Sequence, residues 1–111
     1  MKSQVICKIQ LEGFHNYVGA PKQVEFLKDI HRHTFEITFA YDVKHLNRDV
    51  EIFIQRDEVK DYLHEAYGNP CMFEGMSCEH IAKEILEFIE EDGGAWVEVW
   101  EETTGGARIE K

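Results

Sequence analysis

The chemistry this sequence offers most directly comes from three histidines: His31 and His33, separated by one residue in HRHTFEITF, and His15 at the end of LEGFH. Zn²⁺ accepts neutral imidazole nitrogen at about 2.0 to 2.1 Å, and three protein ligands leave a fourth position for water or substrate. Side chains of equal parity on a strand point to the same side. Two histidines at i and i+2 therefore have Cβ atoms roughly 6 to 7 Å apart, close enough for both rings to reach one ion. An isolated H-x-H is more often a pair of core-edge histidines bonded to backbone carbonyls. His15 shifts the balance toward a metal: it shares odd parity with Cys7, Ile9 and Leu11, so it joins the other two if no bulge intervenes at Gly13.

A carboxylate raises a related question. In AWVEVWEE, Glu101 follows Val97 and Val99 on one face, ending an apolar row where an unpaired charge is costly. It is either simply solvated at the strand end, or it accepts from a ligand with two adjacent N–H donors, such as the 2-amino and N3–H edge of a pterin or guanine.

Positioning these groups requires strands. Val5, Cys7, Ile9 and Leu11 alternate with polar residues, and Phe35, Ile37 and Phe39 alternate with Thr34, Glu36 and Thr38, so both segments read as half-buried strands. VGAPKQ between them reads as loop, and YDVKHLNRD as a polar turn. VEIFI is either a third strand or an extended lead into a helix. Val59, Tyr62, Leu63, Ala66 and Tyr67 follow helical spacing up to GNP. A second helix is capped by Ser77 and carries the stripe Ile81, Ile85, Phe88 and Ile89, stopping at DGG. AWVEVWEE and ARIE, joined by TTGG, read as a closing pair of strands. Strands on either side of two helices predict an α+β domain, an antiparallel four-stranded sheet with both helices on one face. Its open edges would be closed by self-association.

The 111 residues fit one domain spanning 1–111, and no linker or internal repeat divides them. A formal net charge of −10 disfavours a nucleic-acid partner, since phosphate rewards a basic surface. No apolar run is long enough to span a bilayer. The odd set Cys7, Cys71 and Cys78 lacks the spacing of a zinc ribbon or a redox dithiol and suits a reducing compartment, so a soluble cytoplasmic protein is expected.

Taken together, LEGFH, HRH, MSCEHIA and EETTGGA resemble, in order and spacing over nearly the full length, the motifs of the 6-pyruvoyl-tetrahydropterin synthase and 6-carboxytetrahydropterin synthase family. That resemblance implies the tunnelling fold, in which subunits close a β-barrel as trimers that often stack into hexamers. It implies zinc on His15, His31 and His33, and a pterin held at a subunit interface by Glu101. The relatives are lyases acting on dihydroneopterin triphosphate, with zinc as Lewis acid.

The sequence departs from this pattern at the base. The family's catalytic cysteine, four residues before the first His of H-x-H, is Leu27 here, which cannot transfer a proton. The family's Asp and His relay pair has no counterpart at the expected place, where the chain reads EAYGNP. Glu25 and Asp29, in the loop before His31, are candidate bases, as is His45 in KHLN. Both acids, like His45, also read as ordinary solvated groups. Cys78 reads as structural, Arg32 as facing away from the metal, and His64 and His80 carry no assigned role. Three readings follow: a zinc-dependent enzyme on a dihydropterin triphosphate or analogue with an altered base, an inactive homologue binding zinc and a pterin- or purine-like heterocycle, or a structural oligomer with a metal staple.

Overall fold

A computed structural model describes residues 1–111. Two long strands form its centre, β1 (Gln4–His15) and β2 (His31–Asp42), paired antiparallel in unbroken register from Gln4 opposite Asp42 to His15 opposite His31. No bulge interrupts β1 at Gly13, so the odd residues keep one face throughout. The connection between them is loop through VGAP, as the sequence predicts, and then a 3₁₀ helix, Lys22–Lys28, that begins within the expected loop.

After β2 comes helix α1 (Ile52–Tyr67), one of whose free N-terminal N–H groups, that of Ile54, is met by the Glu51 carboxylate. VEIFI is thus a lead into a helix and not a strand. A three-residue strand β3 (Cys71–Phe73) follows and pairs parallel to the end of β1, with Gly13 opposite Cys71 and His15 opposite Phe73. Helix α2 (Cys78–Ile89) is capped by Ser77, whose hydroxyl accepts from His80 N, an interaction typically contributing about 1 kcal/mol. Strands β4 (Gly94–Glu101) and β5 (Gly105–Glu110) complete a five-stranded sheet in the order β3-β1-β2-β4-β5. The sheet therefore has one strand more than the four the sequence pattern predicts, and its single parallel pairing is the β1–β3 contact. It does not close on itself within one chain, and β3 and β5 form its edges.

Both helices cover one face. Cys7, Ile9 and Leu11 of β1, Phe35, Ile37, Phe39 and Tyr41 of β2, and Val97 and Val99 of β4 meet Val59 and Leu63 of α1 and Ile81, Ala82, Ile85 and Ile89 of α2 in one buried cluster. Each fully buried aliphatic or aromatic side chain here contributes about 1.5 to 3 kcal/mol. Phe88 leaves this stripe for the rim and stacks on Tyr62 at 4.1 Å. The opposite face is polar and cross-linked: Arg32 Nε donates to Glu12, and Arg108 Nε to Glu98, each at 2.8 Å. The three cysteines are free thiols. No helix is long and apolar enough to cross a membrane.

Candidate metal centre

The odd faces of β1 and β2 end on the helix side of the sheet as a cluster of three imidazoles. His15 lies directly opposite His31, and Gly13 opposite His33. One ring nitrogen from each histidine lies within 4.8 Å of the others. The ring centroids of His15 stand 4.7 Å from His31 and 5.1 Å from His33. Phe35 and Phe73 form the apolar floor, Phe35 meeting the edges of His15 at 5.3 Å and of His33 at 5.6 Å. Gly13 makes room for that floor, since a Cβ there would fall 2.9 Å from the Phe35 ring and 3.1 Å from Phe73.

Each ring is oriented through Nδ1. His15 Nδ1 is 2.9 Å from the Met76 carbonyl, His31 Nδ1 is 2.8 Å from the Asp29 carbonyl, and His33 Nδ1 is 2.9 Å from Glu102 Oε1. A carbonyl or carboxylate only accepts, so Nδ1 must carry the proton in all three, leaving Nε2 of a neutral ring as a lone pair. Metal-binding histidines are oriented in this way by their outer partners. Burial lowers the pKa of His15, outweighing the Met76 hydrogen bond and the nearby Glu101 charge, and so favours the neutral ring that binds a cation. His33 Nε2 is a buried nitrogen with no partner. Such an atom costs about 1 to 3 kcal/mol, a penalty that coordination removes. The donor set therefore fits a zinc ion.

Glu101 stands at the end of β4 opposite Phe35, where its carboxylate reaches the histidines: Oε2 is 2.9 Å from His15 Nε2 and 3.7 Å from His33 Nε2. Glu102 takes a left-handed backbone conformation, φ 51°, that turns its side chain back to accept from both His33 Nδ1 and Thr34 N. Burial pushes the Glu102 pKa up, but the hydrogen bonds from His33 and Thr34 outweigh it and hold the carboxyl below its ordinary range.

A cavity of about 590 Å³ opens beside the cluster, lined by His15, His31, Leu27, Cys78, His80 and Glu101 among others. Leu27 lines this space. Of the acid–base groups singled out in the sequence, Glu25 pairs with Lys28 at 3.6 Å outside the cavity, and Asp29 supplies its carbonyl, not its carboxylate, to His31. His45 sits beyond the far end of β2, paired with Asp49 at 3.4 Å, and so lies remote from His31. None of these three residues lines the cavity beside the histidine cluster. The structure does gather Tyr17, Cys78, Glu79 and His80 there, none of which had an assigned role in the chemistry. Cys78, which the sequence reads as structural, borders this site: its thiol lies 3.8 Å from Glu101 Oε2, with a pKa pushed up to about 12 by burial and by that carboxylate. The cap signal at Ser77 located the helix start, but only the β1–β3 pairing shows that this start faces His15.

No protein-family model matches the sequence, and no curated protein does. Solved structures do match. A crystal structure of an uncharacterized protein from Wolinella succinogenes superposes with a TM-score of 0.77 at 12% identity, covering 100% of this chain and 99% of that one. The 6-pyruvoyl tetrahydropterin synthase of Plasmodium falciparum superposes with a TM-score of 0.66 at 13% identity, covering 99% and 98%. The chain thus has a tetrahydropterin synthase-like fold from end to end.

Proposed function

We propose that this protein is a zinc-dependent pterin-processing enzyme of the 6-pyruvoyl/6-carboxy-tetrahydropterin synthase type, acting on a dihydropterin triphosphate or a close analogue. The observation that carries this reading is the convergence of three imidazoles, each oriented through Nδ1, beside a cavity in a tetrahydropterin synthase-like fold. His15, His31 and His33 would hold the ion, which as a Lewis acid would polarise oxygens of the substrate's side chain. Glu101 would accept from the two adjacent N–H donors of the heterocycle, a bidentate, charge-assisted pairing. Assembly of subunits into a trimer or hexamer would close the sheet edges. The base would be an acid in place of the cysteine, Asp29 or Glu25, if the 3₁₀ turn brings its carboxylate inward, or one of the groups already lining the cavity.

Leu27 in the cavity favours a second reading, a homologue that holds zinc and a pterin- or purine-like heterocycle without converting it. One experiment separates them. Protein carrying about one zinc per chain, as a three-histidine site requires, is incubated with dihydroneopterin triphosphate, and triphosphate release is followed. Release supports the enzyme; stoichiometric binding without release supports the binding homologue. If the purified protein retains no zinc and His31→Ala behaves like the parent, both fail.

A further inference from the structure

Glu101 stands closer to the histidines than a group reserved for substrate would need to be. Its Oε2 lies 2.9 Å from His15 Nε2 and 3.7 Å from His33 Nε2. Because His15 Nδ1 donates to Met76, Nε2 of the neutral ring is an acceptor, as the carboxylate oxygen is. Two acceptors at that distance repel unless a cation, a proton or a metal ion, lies between them; burial disfavours the charged imidazolium that a proton would make of His15. In a tetrahedral zinc site with bonds of about 2.0 to 2.1 Å, neighbouring ligand atoms stand about 3.3 Å apart. The two observed separations fall on either side of that value. The orphaned Nε2 of His33 faces the same oxygen. The main chain at Glu101 is fixed, its carbonyl accepting from Thr104 N at 3.2 Å and Thr104 Oγ1 at 3.1 Å, so the side chain is delivered to this position by the β4–β5 turn.

We propose that Glu101 is the fourth ligand of the ion held by His15, His31 and His33, closing the centre in the resting protein. This rests on the zinc reading above and changes its consequence. A three-histidine site with an open position offers it to any small ligand, whereas one closed by a carboxylate offers it only after that carboxylate leaves. A heterocycle with two adjacent N–H donors gives Glu101 a competing partner, so the molecule that occupies the cavity is also the one that opens the metal.

The test uses Co²⁺ as a spectroscopic probe in the full-length protein and azide as a small competing ligand. In the parent protein the visible spectrum should be that of a four-coordinate ion and should not move on azide addition. Glu101→Gln should still bind Co²⁺ through the histidines, respond to azide, and hold Zn²⁺ about tenfold or more weakly in chelator competition, a loss on the scale of disrupting a metal site's supporting groups. Glu101→Asp, which keeps a carboxylate on a shorter stem, should fall between the two. Azide shifting the parent spectrum overturns the proposal without need of any variant. So do equal Zn²⁺ affinities for the parent and a folded Glu101→Gln protein. In both cases the three-histidine centre stands, whereas failure of the parent to bind Co²⁺ or Zn²⁺ removes the centre and the proposal together.

Discussion

Two of the three histidines are held by main-chain carbonyls and the third by a carboxylate, and the difference is testable residue by residue. Removing the Glu102 side chain takes away the acceptor that fixes His33, so Glu102→Ala should weaken Zn²⁺ binding about 10- to 100-fold in chelator competition with the far-ultraviolet spectrum unchanged. Asp29→Ala should leave affinity as it was, because the carbonyl that holds His31 remains. The same substitution also tests Asp29 as a base: turnover lost with zinc retained would assign it that role. The histidine trio was legible from parity alone, because alternation survives any twist of the strands. Its support was not. Glu102 acts only because its backbone enters the left-handed region, and Met76 acts through an atom that every residue possesses.

At the scale of elements, the floor beneath the centre depends on Gly13. A methyl there meets Phe35 and Phe73 at distances both rings must yield to, and overpacking of this kind costs about 1 to 3 kcal/mol. Gly13→Ala should lower the thermal midpoint, with zinc affinity falling alongside it as the rings above are displaced. The β4–β5 hairpin carries a pH signature. Glu98 accepts from the Trp100 indole at 3.0 Å and from Arg108, and despite some burial these bonds hold its pKa below the ordinary value near 4.5. A depressed carboxyl adds stability above its unfolded pKa and loses it as pH falls through the folded value. Urea midpoints at pH 7 and pH 3 should therefore differ less for Glu98→Gln than for the parent. The long strands and α2 were legible because buried positions repeat with a clear period. Strand β3 was not, since three residues cannot show a period and its place depends on pairing with β1. The start of α1 was ambiguous for the opposite reason: Ile52, Phe53 and Ile54 are 44%, 69% and 55% exposed, so an apolar run there marks no core-facing stripe.

For the whole molecule, the two faces of the sheet differ in kind. One is sealed by helices around an apolar cluster, and the other presents Lys8, Glu12, Arg32, Glu36, Glu98 and Arg108 in cross-strand pairs. A sheet with two open edges and one wet, charged face suits closure into a ring with that face inward. Sedimentation at micromolar concentration should give a mass of three or six times the 13.0 kDa chain. A monomer at that concentration would remove the barrel from the proposal. The Met76 and Asp29 carbonyls have a further consequence. Grips made by the peptide chain itself are indifferent to which side chain occupies the position, so the surrounding sequence can drift far while the imidazoles keep their aim, provided the chain follows the same path.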